Sequence, residues 1–316
     1  MSQNTIVRPP LLEQLVAVAV LSIPVLATVA GFVQLCLYGI SGTSLLMLVV
    51  MYVLTINGIG IGYHRLSSHN AFQTHRLLRA GFAIFGLMAA QGPIFYWVAI
   101  HRRHHATSDR PGDPHSPLGH GSGLRGLLRG LWHAHVGWLF DMHANMLGVY
   151  SFKVAREHED TNWDRYIPDL LRDPILVWVN RTYFLWLALG LALPAAAAFA
   201  LTSSWTEAAL GLLWGGLIRI FLVQHATALI ASVAHVHGTA PFRTPDGSRN
   251  SYLCALPTFG EWHNNHHAFP SSAWHGMRWW QIDMSGRLIH LMSLVGLAWN
   301  VKTPSPRAIE AVRKAA

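Results

Sequence analysis

The chain has 316 residues, of which 52% are hydrophobic and only 12% are charged, and its formal net charge is +8. This composition excludes a fully solvated globular protein, because much of the surface must face lipid. Cys36 and Cys254 are the only cysteines, which excludes a disulfide framework and a four-cysteine iron site. No nucleic-acid-binding motif is present, and the positive charge fits an anionic membrane face or an acidic partner equally well.

Five apolar stretches approach or exceed the ~20 residues that a helix needs to cross a bilayer. In chain order they are Leu12 to Leu37, Ser44 to Ile61, Ala80 to Ile100, Tyr183 to Leu201 and Ala208 to Ala234. The first is too long for a signal peptide and lacks a basic start and a cleavage site, so we expect a retained anchor.

The distribution of basic residues predicts the orientation of these stretches. Lys and Arg are plentiful between Arg102 and Arg181 and again after Arg243, whereas Gly39 to Thr43 and Thr202 to Thr206 contain none. By the positive-inside rule, the long segments and both termini lie in the cytoplasm.

The third stretch, Ala80 to Ile100, is predicted not to cross. If it did, His64 and His101 would lie on opposite sides of the membrane and could not share a site. The stretch is interrupted by Gln91-Gly92-Pro93, and we expect a helix in or under the interface. The predicted fold is one all-α integral membrane domain over 1–316, with four transmembrane helices at about 12–37, 44–63, 183–201 and 208–235 and a cytosolic helical cap formed by 64–182 and 236–316.

Nine histidines then reach the cytoplasmic face, where they predict a site for two transition-metal ions. They are His64, His69, His101, His104, His105, His235, His263, His266 and His267. In a helix, two histidines four residues apart share a face and one at the third residue lies next to them, so one turn can offer imidazoles to two ions. The five-residue spacing of His64 and His69 predicts a helix end that is unwinding. A His-Glu-x-x-His pair of the single-zinc type is absent.

From about Gly58 to Pro304 the chain resembles the membrane-bound fatty acid desaturases, in particular the branch of acyl-CoA delta-9 (stearoyl-CoA) desaturases and their bacterial relatives. Besides the histidine boxes and Trp97, the resemblance is carried by Gly62-Tyr63-His64-Arg65, Asp113-Pro114-His115, His135-Val136-Gly137-Trp138, Pro168-Asp169-Leu170, Ser232-Val233-Ala234-His235, and Trp262 to Pro270 followed by Trp279-Trp280.

This resemblance implies a non-haem di-iron centre held by the nine histidines, with O2 as co-substrate and no side-chain general base. Zinc is expected to occupy the same ligands in some isolated samples, because imidazole binds it at least as tightly as ferrous iron. Electrons would come from a separate donor of ferredoxin, rubredoxin or cytochrome b5 type, since the chain resembles no electron-transfer domain.

Further candidates are the residues that support the histidines or line a substrate tunnel. The carboxylates expected to accept the second ring N–H of a histidine are Asp109, Asp113, Asp141, Asp169 and Glu261. The aromatic candidates for the tunnel wall are Phe95, Tyr96, Trp97 and Trp138. Arg219 lies well inside the last span, where a charge indicates a function, and either a headgroup or an internal carbonyl fits as its partner.

Three positions depart from the pattern of the family. Ala231 stands where relatives have an asparagine that supports a metal-bound water, and Ala99 stands where animal acyl-CoA enzymes have arginine. The segment Gly260-Glu261-Trp262-His263 is one residue shorter than its usual counterpart. Ala99 weakens the inference that CoA is the carrier. The three departures together argue against a standard delta-9 acyl-CoA activity, but not against di-iron oxidation.

The predicted function is therefore O2-dependent desaturation of a fatty acyl chain, carried on CoA or within a membrane lipid. Within this class, an acyl carrier protein-linked desaturase or acetylenase and a fatty acyl or alkane hydroxylase are the alternatives. A metal transporter or sensor is the non-enzyme alternative. It fits less well, because transporters place ligands near the bilayer midplane, whereas the boxes fall just beyond the apolar stretches.

Overall fold

The computed structural model describes residues 11–141 and 163–313, most of which are helical. Four helical runs within these ranges are long and apolar enough to cross a membrane. They are Gln14–Tyr38, Gly42–Ser68, Tyr183–Thr202 and Trp205–His235. The prediction of four membrane-length helices is therefore confirmed.

Helix α1 spans Leu11–Tyr38, and α2 spans Gly42–Asn57 and continues as a π-helix over Gly58–Ser68. The Ser41 side chain caps α2 by accepting a hydrogen bond from the backbone N–H of Ser44. Its hydroxyl donates to Glu207 Oε2 at 2.7 Å. The two short links that lack basic residues therefore meet at the same end of the bundle.

The last two membrane-length runs follow each other closely. Helix α7, Pro174–Arg181, leads into α8, Tyr183–Thr202. The fourth run then consists of four consecutive pieces: α9 over Trp205–Gly211, a π-helix over Leu212–Ile218, α10 over Arg219–Ser232 and a 3₁₀ turn over Val233–His235.

The third apolar stretch does not form one long helix. It is divided between α3, Arg76–Leu87, and α4, Ile94–Thr107. Gly92 between them has φ +86°, a conformation that side-chain-bearing residues rarely adopt. Neither helix reaches membrane-spanning length, in agreement with the prediction.

Arg219 fixes this break between α3 and α4 against the bundle. Its fully buried guanidinium donates to the carbonyl oxygens of Met88, Gly190 and Gly215. Of the two partners predicted for Arg219, internal carbonyls are therefore the ones that the structure contains. Burying the charge is tolerated because several strong acceptors surround it.

The remaining elements form the cap around the ends of these helices. They are α5 (Gly123–Trp132) with a π-helical continuation over His133–Gly137, α6 (Trp138–Asp141), 3₁₀ turns at Trp163–Tyr166 and Leu170–Arg172, α11 (Tyr252–Ala255), α12 (His263–Ala268), α13 (Met284–Leu294) and α14 (Pro306–Val312). Two short strands, β1 (Gln73–Thr74) and β2 (Ala298–Trp299), pair antiparallel with Gln73 opposite Trp299.

A close helix contact positions the first histidine box. A Cβ atom added at Gly58 would lie 2.3 Å from the backbone nitrogen of Gly86, so only glycine allows α3 to approach the π-helix this closely. Tyr63, Leu87 and Phe95 pack together in the buried core between these helices and α4. The backbone that carries His64 is thereby fixed.

Candidate metal centre

The nine predicted histidines form two adjacent groups. In each group, the ligand nitrogens lie within 4.8 Å of one another. The first group, named here the five-histidine cluster, contains His64, His69, His101, His105 and His266. The second, the four-histidine cluster, contains His104, His235, His263 and His267.

The two helical boxes contribute to both clusters in opposite ways. On α4, His101 and His105 are four residues apart and share the five-histidine cluster, while His104 turns to the other cluster. On α12, His263 and His267 share the four-histidine cluster, while His266 turns to the first. This is the face relationship that helical geometry imposes on residues three and four apart.

The spacing of His64 and His69 has a different explanation from the one expected. The helix does not unwind between them; it widens into a π-helix, in which the N–H of His69 donates to the carbonyl oxygen of His64 at 3.2 Å. Bonding between residues i and i+5 brings side chains five apart onto one face, and π-helical turns often occur at functional sites. Both imidazoles therefore reach the same cluster.

The Nε2 atoms of the histidines converge. Nε2 of His64 lies 3.0 Å from Nε2 of His266, which is 2.9 Å from Nε2 of His105. In the second cluster, Nε2 of His235 lies 2.9 Å from Nε2 of His263. Imidazole nitrogens that face one another at these distances form a donor set that transition-metal ions accept.

Carboxylates behind the four-histidine cluster show which nitrogen is bare. Nδ1 of His104 lies 3.0 Å from Asp113 Oδ1, Nδ1 of His235 lies 2.8 Å from Asp109 Oδ2, and Nδ1 of His267 lies 2.6 Å from Asp246 Oδ2. A carboxylate that accepts the Nδ1 proton leaves Nε2 as a lone pair aimed at the metal position. Consistently, the buried Nε2 atoms of His104 and His267 have no hydrogen-bond partner within the described ranges. The residues present therefore fit a metal ion.

Behind the five-histidine cluster, the described part of the chain places one carboxylate, that of Glu261. Glu261 Oε2 lies 3.2 Å from Nδ1 of His64 and 3.2 Å from Nδ1 of His275. Arg65 and Asp283 form a buried ion pair at 3.1 Å beside them, and Arg65 also approaches Nδ1 of His275. The structure thus adds His275 to the surroundings of the centre.

The electrostatics favour neutral imidazoles and charged carboxylates. Burial, followed by the proximity of other histidines, holds the pKa of His101, His105 and His266 well below the usual range. Burial also lowers the pKa of His267, to about 4, although Asp246 opposes this effect. Burial tends to raise the pKa of Asp246, but hydrogen bonds from His267 and Ser248 outweigh it and the pKa lies well below normal. Neutral imidazole is the form that binds metal.

The structure separates the five predicted carboxylates into three groups. Asp109, Asp113 and Glu261 contact histidines, as described above. Asp169 instead forms a bidentate ion pair with Arg102, with N···O distances of 2.7 and 2.8 Å. No contact between Asp169 and a histidine is found within the described ranges. The side chain of Asp141 lies outside the described part of the chain.

Two supporting residues, Asp246 and His275, were not predicted from the sequence. Asp246 lies in a Pro-Asp-Gly turn, which indicates a loop and carries no sign of metal chemistry. His275 is a lone histidine eight residues after the third box, and its spacing matches no ligand pattern. Only the folded loop between α12 and α13 shows its contact with Glu261.

A cavity of about 270 Å³ extends from the clusters into the bundle. His64, His101, His104 and His263 line it near the clusters. Of the aromatic residues predicted for a tunnel wall, Tyr96, Trp97 and Trp138 line this cavity, whereas Phe95 faces the buried core instead. Ala231 also lines the cavity.

A chain of hydrogen bonds fixes the indole of Trp97 in the cavity wall. Trp97 Nε1 donates to Gln91 Oε1 at 3.2 Å, and Gln91 Nε2 donates to Thr227 Oγ1 at 2.7 Å. Because Gln91 lies in the break between α3 and α4, this chain connects the break with α10. The indole also stacks on the ring of His101, with the ring centroids 5.0 Å apart.

Two histidine clusters that could hold metal ions beside an apolar cavity, among membrane-length helices, are typical of a membrane oxidoreductase that acts on an apolar substrate. Residues 41–290 match the family described as fatty acid desaturase, and the chain belongs to this family.

Individual relatives cover most of the chain. A hex-5-enoyl-(acyl-carrier protein) acetylenase of Moorena producens is 44% identical over 93% of this chain and 87% of its own length. An sn-1 stearoyl-lipid 9-desaturase of Synechocystis sp. is 36% identical over 83% of this chain and 73% of its own length. A palmitoyl-monogalactosyldiacylglycerol delta-7 desaturase of Arabidopsis thaliana is 37% identical over 81% of this chain and 61% of its own length.

Proposed function

We propose that this fatty acid desaturase binds two iron ions through its nine clustered histidines, five around one ion and four around the other. The observation that carries the proposal is the convergence of Nε2 atoms, typified by the 2.9 Å approach of His235 and His263. Asp109, Asp113 and Asp246 would keep the imidazoles of the four-histidine cluster oriented by accepting their Nδ1 protons.

Reduced iron with O2 supplies an oxidant that can remove hydrogen from an unactivated methylene group, which no side-chain base can deprotonate. The protein's part is to position the acyl chain next to the metal centre and to surround it with an apolar cavity. Trp97, held by Gln91, forms a rigid wall next to His101 and is suited to keep an acyl chain against the clusters. The apolar lining excludes water from the reacting carbons.

The proposed substrate is a fatty acyl chain whose carboxyl carbon is esterified to a carrier. A second candidate function, acetylenic desaturation of an acyl chain on an acyl carrier protein, is favoured by the 44% identity to the Moorena acetylenase. The other relatives named above support a lipid-bound acyl chain. Desaturation of a carrier-bound acyl chain, acetylenic desaturation and desaturation of a lipid-bound acyl chain all require the same metal centre and cavity.

We further propose that the cap, the clusters and both termini lie on the cytoplasmic side, where a ferredoxin, rubredoxin or cytochrome b5 type donor delivers electrons. The enrichment of Lys and Arg in the cap supports this orientation. The contact of Ser41 with Glu207 joins the two uncharged links at the opposite end, as the orientation requires.

Metal analysis and product analysis together test the proposal. Purified active protein is expected to contain about two irons per chain, and both His104→Ala and His266→Ala are expected to abolish turnover. His75→Ala is the matched control, because His75 is exposed and packs against Trp299. Mass spectrometry of cellular lipids and thioesters, with and without expression, should show new double or triple bonds. Full activity of either cluster variant would contradict the metal assignment.

A further inference from the structure

A second set of imidazoles lies on the cavity wall outside both clusters. His135, in the π-helical segment after α5, and His225, on α10, both line the cavity. Nε2 of His135 lies 2.9 Å from Nδ1 of His225, and Nδ1 of His135 lies 3.0 Å from the hydroxyl oxygen of Ser232. The three side chains form one hydrogen-bonded row, named here the histidine relay.

His225 is too far from the clusters to supply a metal ligand. His225 precedes His235 by ten residues, which corresponds to about 15 Å along a helix. His225 and Ser232 are seven residues apart and therefore lie on the same face of α10. His135 bridges them across the intervening two turns, so its ring lies along the wall of the cavity.

Most of the cavity wall is apolar. Side chains of α1, among them Val16, Ala17 and Val20, line the cavity together with Val136 and Leu139. A polar group in an apolar wall is costly unless it forms hydrogen bonds. Within the described ranges, Nε2 of His225 is the one ring nitrogen of the relay without a hydrogen-bond partner. A ligand in the cavity could satisfy it.

The order of protons along the relay decides what the ligand must be. If the Ser232 hydroxyl donates to His135, then His135 Nε2–H donates to His225 and Nε2–H of His225 is left to donate into the cavity. If the protons are reversed, Ser232 donates to the carbonyl oxygen of Ala228, 2.7 Å away, and His225 presents a lone pair. Burial, followed by the proximity of His225, lowers the pKa of His135 and keeps it neutral in both arrangements. The bond from Ser232 to Ala228 favours the second order in this structure, whereas a ligand that can only accept a hydrogen bond selects the first order. Neither order requires a charged imidazole.

We propose that His225, oriented by His135 and Ser232, donates a hydrogen bond to the carbonyl oxygen of the substrate's ester or thioester group. The inference rests on the proposed function, because it assumes that an acyl chain enters the cavity. An acyl carbonyl is the one polar group that every esterified fatty chain carries, and it only accepts hydrogen bonds. Held at the relay, it would determine which carbons of the chain reach the clusters. His225 is thus a specificity-determining residue.

Paired probes that differ only in the carbonyl group test this. The first pair is palmitoyl-pantetheine and S-hexadecyl-pantetheine, and the second is 1-palmitoylglycerol and 1-O-hexadecylglycerol. The affinity of each compound is measured by its competition with radiolabelled 1-O-hexadecylglycerol for the full-length protein in detergent. In at least one pair, the carbonyl compound is expected to bind about fivefold more tightly than its ether, since one hydrogen bond contributes roughly 1 kcal/mol. A larger ratio for the pantetheine pair indicates a carrier thioester, and a larger ratio for the glycerol pair indicates a lipid ester.

His225→Leu should abolish this preference, and His225→Gln, which retains an N–H donor, should keep part of it. His120→Leu is the control, because His120 packs against His133 outside the cavity lining and should leave the ratio unchanged. Equal ratios in the wild type and His225→Leu would overturn the inference alone. Failure of the wild type to bind any of the probes would overturn the proposed function with it.

Discussion

Asp246 Oδ2 lies 2.6 Å from Nδ1 of His267, and both side chains are almost completely buried. The contact joins a turn after α10 to the helix of the third histidine box, twenty-one residues later. In the same way, Asp113 lies next to Nδ1 of His104 and Asp109 lies next to Nδ1 of His235. Three of the histidines in the four-histidine cluster are therefore held in one tautomer by carboxylates.

Asp246→Ala should weaken metal binding at the four-histidine cluster. Losing a carboxylate behind a metal-bound histidine typically lowers metal affinity by about 10–100-fold. The measurement is the rate and extent of metal loss to a chelator, compared with the wild type. Glu310→Gln is the control, because Glu310 pairs with Arg313 on the surface, away from the clusters. Unchanged metal retention in Asp246→Ala would show that His267 needs no support from this carboxylate.

Gly58→Ala should destabilise the fold. Its Cβ would lie 2.3 Å from the nitrogen of Gly86 and 2.5 Å from the carbonyl carbon of Phe85, both of which are backbone atoms. Overpacking of this kind costs about 1–3 kcal/mol, and we expect a lower Tm in detergent and a reduced metal content. Gly81→Ala, where nothing lies within 4 Å of the added Cβ, should leave the Tm unchanged or raise it slightly. Equal Tm values for the two variants would refute the close contact.

Ala231→Asn should change the reaction without destroying the protein. Residue 231 lies one turn before His235 and lines the cavity, so an amide there would stand next to the clusters. One well-placed hydrogen bond contributes about 1 kcal/mol, and we expect the turnover or the ratio of products to shift several-fold. The two forms are compared at matched iron content. Identical rates and products would mean that residue 231 has no influence on the chemistry.

Cysteine labelling should place the whole cap on one side of the membrane. Cysteines introduced at Arg76 and Arg110 should react only from the cytoplasmic side, and those at Gly42 and Ser204 only from the other side. Cys36 is exposed and must be replaced first, whereas Cys254 is buried and its pKa is raised to about 11, so little reactive thiolate forms. Labelling of positions 76 and 110 from opposite sides would exclude a single site on one face.

The sequence was sufficient to predict the spans and the clustered histidines, for physical reasons. Membrane spans follow from the length of apolar stretches, and the exclusion of Ala80 to Ile100 follows from the need for His64 and His101 to meet. The length of an apolar stretch is a local property of the chain, and the meeting of the two histidines adds a single long-range condition. Helical periodicity then predicts which histidines share a face.

Contacts made by loops could not be predicted in this way. Asp246 and His275 reach the centre only because the segments around α11 and α12 fold back on each other, and no spacing rule describes such a path. The π-helix over Gly58–Ser68 was also missed, because the five-residue spacing of His64 and His69 fits an unwinding helix end as well as a π-helical turn. The partners of Arg219 are backbone carbonyls, which every residue carries, so no sequence pattern can identify them.

The crossed contributions of α4 and α12 have a consequence for any change in this centre. His101 and His105 serve one cluster while His104, between them, serves the other. A shift or rotation of that single turn therefore displaces donors from both positions at once. For the same reason, deleting one cluster by mutation would not leave behind an undisturbed mononuclear centre, and the two positions are expected to be gained or lost as a unit.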